Sequence, residues 1–186
     1  CRGRRAGCSR PETAVVPSFN HYYAEENSNR KMMITALVNY FQSKNCNFVI
    51  GNAFSTGSKN YNSTLFVKNK QNIVPPRPEV YSKTKLVPFS EYLPFGVKSQ
   101  FLENKFNFHF WDKGENVLVF EDNTFSFGTP ICFEDTFDYV CRKMNRLGAD
   151  VFVNVINDSW GKSLVCQNQH LAMGVFRTVE NKTPSV

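Results

Sequence analysis

Several features that mark common protein classes are missing from this chain of 186 residues. No apolar run approaches the roughly 18 residues that a membrane-spanning helix needs, and no N-terminal signal peptide is visible. The six cysteines form neither a Cys-x-x-Cys pair nor a zinc-ligand spacing. What is left is a chain of one-domain length, with enough apolar and aromatic residues to bury a core.

Positive charge is unevenly distributed along the chain. The formal net charge is +6, but residues 1–10 (CRGRRAGCSR) contain four arginines and no acid. The rest holds 18 Lys and Arg against 16 Asp and Glu, which does not indicate nucleic-acid binding. We interpret residues 1–10 as an atypical basic segment of cloning or reading-frame origin; a membrane-surface role is the alternative.

Hydrophobic periodicity and turn residues predict alternating helices and strands, which is typical of the α/β class. Helices are predicted from a cap at Asn27 or Ser28 to about Ser43, over 135–147 (ended by Gly148) and over 167–181. The last helix carries one apolar stripe: Ala172, Val175, Phe176 and Val179. Predicted strands cover 47–50, 63–67, 80–83, 117–120, 124–127, 129–132 and 151–156, with a turn at 121–123 and a break at 75–78.

Three short segments contain a glutamate, a lysine and a cysteine in that order. Glu12 lies in residues 11–14 (PETA), Lys83 in residues 81–92 (YSKTKLVPFSEY), and Cys132 in 129–134 (TPICFE). The separations are 71 and 49 residues. Together these segments resemble the nitrilase (carbon-nitrogen hydrolase) superfamily. Residues 86–94 (LVPFSEYLP) resemble its apolipoprotein N-acyltransferase branch in particular.

The resemblance implies a nitrilase-like α-β-β-α sandwich for residues 11–186, as a catalytic domain incomplete at both ends. It implies Cys132 as the nucleophile and Glu12 as its general base and later acid. Lys83, with a backbone N–H near Phe133, would stabilise the oxyanion. Lys85 is the competing lysine. Glu91 and Glu134 are expected to orient Lys83 and to shape the pocket.

The activity implied by the resemblance is acyl transfer through a cysteine thioester. The acyl donor would be a membrane phospholipid, and the acceptor the α-amino group of the diacylglyceryl-cysteine at the N-terminus of an apolipoprotein. No metal or organic cofactor is implied. The implied location is the extracytoplasmic side of the bacterial inner membrane, with transmembrane helices outside this chain. The alternatives are a soluble amidase or nitrilase with the same three residues, and a non-enzymatic remnant.

Further motifs follow the cysteine in residues 154–160 (NVINDSW), 169–173 (QHLAM) and 176–181 (FRTVEN). The resemblance places Trp160 in the acyl pocket; a core anchor is the alternative. His170 lies in the same pocket region, where packing of a helix or orientation of a loop is its simplest role. Departures from the family pattern bear on the acyl preference of the pocket: Ser90, Phe133, Gly161 and Cys166.

An aromatic segment lies outside these motifs, at residues 101–111 (FLENKFNFHFW). Phe106, Phe108 and Phe110 alternate, which predicts an edge strand with one apolar face. The alternative hypothesis is a mobile lid that lines the acyl groove or enters the bilayer interface.

Overall fold

The structure is a computed structural model, which describes residues 12–16 (backbone only), 40, 43, 46–56, 58–68, 79–94, 110–156 and 163–186. Of the predicted helix ending near Ser43, only Tyr40 and Ser43 are described, and both are helical. The break at 75–78, the aromatic segment up to residue 109, and Trp160 with Gly161 lie outside the described residues.

Four strands form the first sheet: β1 (Glu12–Val16), β2 (Cys46–Thr56), β3 (Lys59–Val67) and β4 (Glu79–Ser82). Their order in the sheet follows the chain, β1-β2-β3-β4, with β1 parallel to β2 and the other pairs antiparallel. The strands predicted at 47–50, 63–67 and 80–83 are confirmed. Lys83 follows β4 directly, so this sheet delivers the lysine at the end of an edge strand.

Three short strands form the second sheet: β5 (Phe120–Glu121), β6 (Ser126–Gly128) and β7 (Val151–Phe152). The predicted hairpin is confirmed, because β5 pairs antiparallel with β6. The strands are shorter than predicted, since β7 ends at Phe152 and only a single bridge joins Val155 to Ile131. Ser185 bridges to Phe152 and so extends the sheet beyond β7.

The strand predicted at 129–132 is wrong. Strand β6 ends at Gly128, and Cys132 begins a 3₁₀ helix, Cys132–Thr136. Pro130 has no N–H for a strand ladder, and Cys132 has a φ of 49°, which no strand accommodates. The segment is nevertheless buried as expected, and its pairing among the described residues is limited to the bridge between Ile131 and Val155, so its apolar character reflects the core more than a strand ladder.

Two α-helices follow the 3₁₀ helix: α1 (Asp138–Arg146) and α2 (Leu164–Asn181). The helix predicted at 135–147 is confirmed in its α-helical part, and its first residues belong to the 3₁₀ turn. Gly148 follows α1 with a φ of 95°, the left-handed conformation in which glycine commonly ends a helix. The helix predicted at 167–181 is confirmed and begins three residues earlier, at Leu164.

The two sheets pack face to face through aromatic side chains. Phe66 of β3 lies 5.6 Å from Phe120 and 4.9 Å from Phe127, measured between ring centroids. All three rings are fully buried, and each contributes about 1.5–3 kcal/mol by leaving water. Helix α1 covers the outer side of the second sheet, where Met144 packs over Gly128.

Helix α2 packs against the domain with its polar face. The buried and half-buried residues of the helix recur at helical spacing, and they are Gln167, His170, Gly174, Arg177, Thr178 and Asn181. The predicted stripe faces outward, with Val175 53%, Phe176 64% and Val179 71% exposed. Within the described residues, the stripe therefore does not contribute to the core, whereas the polar face of α2 lies over the 3₁₀ helix.

Candidate active site

The candidate nucleophile lies at a sharp turn between a buried segment and a helix. Cys132 is half-buried at the first position of the 3₁₀ helix, and its N–H donates to the Val155 carbonyl at 3.1 Å. Its φ of 49° is uncommon for a residue with a side chain and costs about 1–3 kcal/mol, strain that is typical of functional sites. We call this turn, residues 131–136, the elbow.

Glu134 joins the elbow to the loop that carries Lys83. Its carboxylate is fully buried and accepts five hydrogen bonds. The donors to Oε1 are the Tyr81 hydroxyl, the Thr84 N–H and hydroxyl, and the Lys85 N–H, at 2.7–3.1 Å. Oε2 accepts from the Ile131 N–H at 3.0 Å, which also caps the 3₁₀ helix.

These contacts define how Glu134 orients the lysine. The carboxylate holds the backbone that follows Lys83, and the ammonium group itself is paired with Glu91. Because Glu134 is two residues after Cys132 and Thr84 is one residue after Lys83, a single carboxylate brings the two motif segments side by side.

Lys83 is buried in an ion pair. Its side chain is 1% exposed, and its Nζ lies 2.9 Å from both carboxylate oxygens of Glu91. Glu91 is held in turn by the Asn62 side chain at 3.1 Å and the Val87 N–H at 2.8 Å. Such a fixed, desolvated cation suits stabilisation of a developing anion. Lys85 is less buried, and its Nζ lies 5.0 Å from the centre of the Tyr139 ring.

An extended segment closes over the lysine loop. Trp111 donates its N–H to the Glu91 carbonyl at 2.9 Å, and Gly114 donates its N–H to the Lys83 carbonyl at 2.8 Å. A Cβ on Gly114 would lie 2.1 Å from the Ser82 carbonyl oxygen, so only glycine permits this approach. The segment keeps the backbone of Lys83 in place from the side opposite β3.

His170 lies against the elbow from the other side. It is 6% exposed, and its Nε2 is 3.0 Å from Asp135 Oδ1 and 3.3 Å from the Cys132 carbonyl oxygen. Asn154 donates from Nδ2 to Asp135 Oδ2 at 2.6 Å and to the same carbonyl at 3.4 Å. The ring of His170 also lies 5.9 Å from that of Phe133, so His170 contacts the turn that carries the candidate nucleophile.

Two other buried groups have raised pKa values and are unsuited to acid–base work at neutral pH. Burial raises the pKa of Cys141 to about 12, so it remains a thiol. Burial, together with the negative charge of Glu134, raises the pKa of Tyr81 well above its usual range. Tyr81 therefore stays protonated and acts as a hydrogen-bond donor to Glu134.

Glu12 begins β1, and the sheet does not bring it beside Lys83. The two residues belong to opposite edges, since β2 and β3 lie between β1 and β4. Glu12 is paired with Cys46, whereas Lys83 bonds to Asn62, which is paired with Ala53. At about 3.3 Å per residue, Cys46 and Ala53 are about 23 Å apart along β2. The described backbone therefore joins the lysine and cysteine segments and leaves the glutamate apart.

The family model for carbon-nitrogen hydrolases matches residues 9–186. The chain belongs to this family. Two curated relatives are named apolipoprotein N-acyltransferase 1: one from Treponema pallidum is 42% identical over 186 aligned residues, and one from Treponema denticola is 37% identical over 195. These alignments cover 92% and 94% of this chain but 34% and 36% of the relatives. The chain thus spans about a third of their length.

Solved structures of carbon-nitrogen hydrolases share the fold. A carbon-nitrogen hydrolase from Helicobacter pylori G27 superposes with a TM-score of 0.61 at 16% identity, covering 94% of this chain and 61% of that chain. A Saccharomyces cerevisiae member of branch 10 of the nitrilase superfamily gives a TM-score of 0.57 at 18% identity, covering 94% and 62%. The predicted nitrilase-like α/β fold is confirmed.

Two residues of this candidate site, Asp135 and Asn154, had no role assigned to them from the sequence. The signal for Asp135 was a second acid directly after Glu134 in an otherwise apolar stretch. Asn154 belonged to a recognised motif, but nothing in the motif indicated that it faces the elbow. Within the described segments, no group of three His, Cys, Asp or Glu side chains is arranged to hold a metal ion. In that same part of the chain, no helix combines the length and apolar character needed to cross a bilayer.

Proposed function

We propose that this domain catalyses acyl transfer from a membrane phospholipid to the α-amino group of the diacylglyceryl-cysteine of an apolipoprotein. The observation that supports this most strongly is the Glu134 bridge, which holds the Cys132 turn and the Lys83 loop together in the buried interior. The identity to relatives named apolipoprotein N-acyltransferase supports the choice of substrates. The protein then acts at the extracytoplasmic face of the inner membrane.

The proposed reaction proceeds in two steps. The thiolate of Cys132 attacks an acyl ester carbonyl of the phospholipid, and the ammonium of Lys83 and the Phe133 N–H stabilise the oxyanion. Lysophospholipid leaves, taking up a proton, and an acyl thioester remains. The free amine of the lipoprotein cysteine then attacks the thioester, forming an amide and restoring the thiol.

The first experiment measures transfer with the full-length gene product in detergent. Phosphatidylethanolamine is the donor and a diacylglyceryl-cysteinyl peptide is the acceptor, and mass spectrometry detects the acylated peptide. We expect product with wild type and none with Cys132→Ala. Release of ammonia from simple amides without peptide acylation would replace the proposal with hydrolysis. Absence of both activities would indicate a non-enzymatic remnant.

The two lysines of the loop provide a matched pair for the oxyanion role. Lys83→Met removes the buried ammonium, and we expect the transfer rate to fall by about 10²–10³. Lys85→Met leaves the Lys83–Glu91 pair and the Lys85 N–H bond to Glu134 intact, and its transfer rate should stay close to that of wild type. Equal losses in the two variants would remove Lys83 from the mechanism.

Glu12 is proposed as the general base because of its motif (PETA) and its order before Lys83 and Cys132. Loss of a general base costs about 10²–10⁴ in rate. Glu12→Gln should therefore reduce transfer by that factor, with unfolding temperature unchanged. Full activity of Glu12→Gln would agree with the register of β1, which sets this residue apart, and would assign proton transfer to another group.

A further inference from the structure

We propose that His170, Asp135 and Asn154 are positioning residues that hold the Cys132–Phe133 peptide with its N–H directed at the reacting carbonyl. The oxyanion hole is then formed before the substrate binds. This inference rests on the proposed acyl transfer through Cys132. It assigns a specific task to the contacts between α2 and the elbow.

The hydrogen-bond pattern fixes which groups donate. His170 Nε2 faces two oxygens, one of the Asp135 carboxylate at 3.0 Å and the Cys132 carbonyl at 3.3 Å. Both are acceptors, so Nε2 carries the hydrogen in the tautomer that fits. The Asn154 amide has two hydrogens, and its Nδ2 reaches the same two groups at 2.6 and 3.4 Å. Two donors therefore converge on one peptide carbonyl, and Asp135 keeps both donors in place.

Because the Cys132 carbonyl is held in place, the geometry of the peptide bond also fixes the direction of the Phe133 N–H. A trans peptide is planar, and its C=O and N–H point in opposite directions. Because the Cys132 carbonyl points to His170 and Asn154, the Phe133 N–H points away from α2. In the described parts of the chain, no group accepts a hydrogen bond from this N–H. It is thus available to donate to the oxyanion that forms when the Cys132 thiolate attacks.

We call His170, Asn154 and Asp135, which together hold the Cys132 carbonyl, the clamp. The conformation of Cys132 explains why the clamp is needed. A φ of 49° is strained for cysteine, so a freely rotating turn would relax toward a more common conformation. The Val155 carbonyl holds the N–H of Cys132 at 3.1 Å, and His170 with Asn154 holds its carbonyl. The residue is fixed at both of its peptide bonds.

Helix α2 is shaped for this contact. His170 and Gly174 are one turn apart on the face that lies over the elbow. A Cβ on Gly174 would stand 3.0 Å from Asp135 Oδ2, a distance tighter than ordinary packing allows. His170 therefore supplies the hydrogen bond, and Gly174, one turn later, leaves room for the Asp135 carboxylate.

The test separates oxyanion stabilisation from thiol reactivity at Cys132. Acylation by p-nitrophenyl octanoate passes through an oxyanion, whereas alkylation by iodoacetamide displaces iodide and forms none. Both rates are measured on the full-length gene product, with peptide mapping to distinguish Cys132 from the exposed Cys166. The variants are His170→Phe, which keeps a planar ring without the donor, and His170→Gln, which restores an N–H donor.

We expect His170→Phe to reduce kcat for acylation by about 10²-fold. Its KM should stay within about twofold of wild type, and its alkylation rate within about threefold, because neither depends on the oxyanion hole. His170→Gln should recover about tenfold of the lost acylation rate. Asn154→Asp, which sets a carboxylate against the Cys132 carbonyl, should give the same selective loss and serves if His170→Phe does not fold.

Asn145→Ala is the matched structural control. Asn145 anchors the end of α2 through the Asn181 carbonyl at 3.1 Å and the Thr183 hydroxyl at 2.8 Å, and it does not contact the elbow. It should lower the unfolding temperature and leave the ratio of acylation to alkylation at the wild-type value. The inference is overturned if the His170 variants lose both rates in parallel, or if they lose neither.

The outcomes also separate this inference from the proposed function. If wild type is acylated at Cys132 by the ester but never acylates the lipoprotein peptide, the proposed substrates are wrong while the rate ratio still tests the clamp. If transfer occurs normally and the rate ratio of His170→Phe equals that of wild type, the clamp is wrong and the function stands.

Discussion

Two neighbouring carboxylates, Glu134 and Asp135, are both buried and hold the elbow from opposite sides. Glu134 accepts five hydrogen bonds, three of them from backbone N–H groups. Asp135 is bonded by two side chains, from His170 and Asn154. The Glu134 side of the elbow is therefore held mainly by backbone N–H groups. The other side depends on particular residues 35 and 19 positions away.

The difference shows how the turn that carries the candidate nucleophile can serve two purposes. The Glu134 side brings Lys83 to the site, and its loss should disturb both stability and reaction. The Asp135 side contacts the Cys132 carbonyl through its partners, and its loss should affect the reaction more than the stability. Substitutions at the two positions can therefore be ranked.

The largest effect is expected for Glu134→Gln. A glutamine places an NH₂ group where a carboxylate oxygen accepts from a backbone N–H, so at least one donor loses its partner in the buried interior. We expect a loss of about 3 kcal/mol in the free energy of unfolding. Acylation should fall by about 10²–10³. Thermal unfolding and the rate of thioester formation measure the two effects. If the variant is as stable as wild type, Glu134 is not the residue that holds the Cys132 turn and the Lys83 loop together.

Asp135→Asn should lose less stability than Glu134→Gln and should also slow acylation. The new amide presents an NH₂ group to Asn154 or to His170, both of which are donors. We expect about 2 kcal/mol lost from the free energy of unfolding and about 10²-fold from acylation. If this variant is less stable than Glu134→Gln, the ranking of the two sides is reversed.

Tyr81→Phe removes one of the donors to Glu134 and leaves the other four in place. Since the ring remains in the core, the expected cost is about 1 kcal/mol, or roughly 2–4 °C in unfolding temperature. The rate of acylation should fall less than in Glu134→Gln. A defect as large as that of Glu134→Gln would mean that the tyrosine, and not the backbone donors, holds the carboxylate.

The smallest and most selective effect is expected for Gly174→Ala. The added methyl group presses on Asp135 Oδ2 and moves the carboxylate by a few tenths of an ångström. Alanine also favours a helix by about 1 kcal/mol over glycine, which offsets the strain. We expect acylation to fall about threefold to tenfold at an unchanged unfolding temperature.

The control is Asn168→Ala, on an exposed position of the same helix, which gains helix propensity without approaching Asp135. Its acylation rate should equal that of wild type. Wild-type acylation in Gly174→Ala as well would show that the Asp135 side tolerates displacement, and the two sides of the elbow would then differ more than we infer.

The sequence predicted the elements whose patterns are local. Strands β2 and β3 follow their apolar and β-branched residues, and α2 follows its helical periodicity. The segment 129–132 was predicted wrongly, because apolar residues in a buried turn have the same composition as a buried strand. Only the backbone of Cys132, with its positive φ, separates the two.

Contacts between distant residues account for what the sequence could not predict. The motif around Glu91 and Lys83 indicated an interaction, and the two form an ion pair. The backbone partners of Glu134 and the side-chain partners of Asp135 depend on how loops meet in three dimensions. The face of α2 that packs on the elbow is its polar face, which a rule placing apolar faces inward does not anticipate.

The central idea is that the elbow, held by Glu134 on one side and Asp135 on the other, presents Cys132 as an acyl acceptor. Its most direct test is the mass of the protein after brief incubation with phosphatidylethanolamine. Peptide mapping should locate one fatty-acyl group on Cys132, removable by hydroxylamine and absent from Cys132→Ala. An acyl group on another residue, or an unmodified protein that still transfers acyl chains to the lipoprotein peptide, would contradict it.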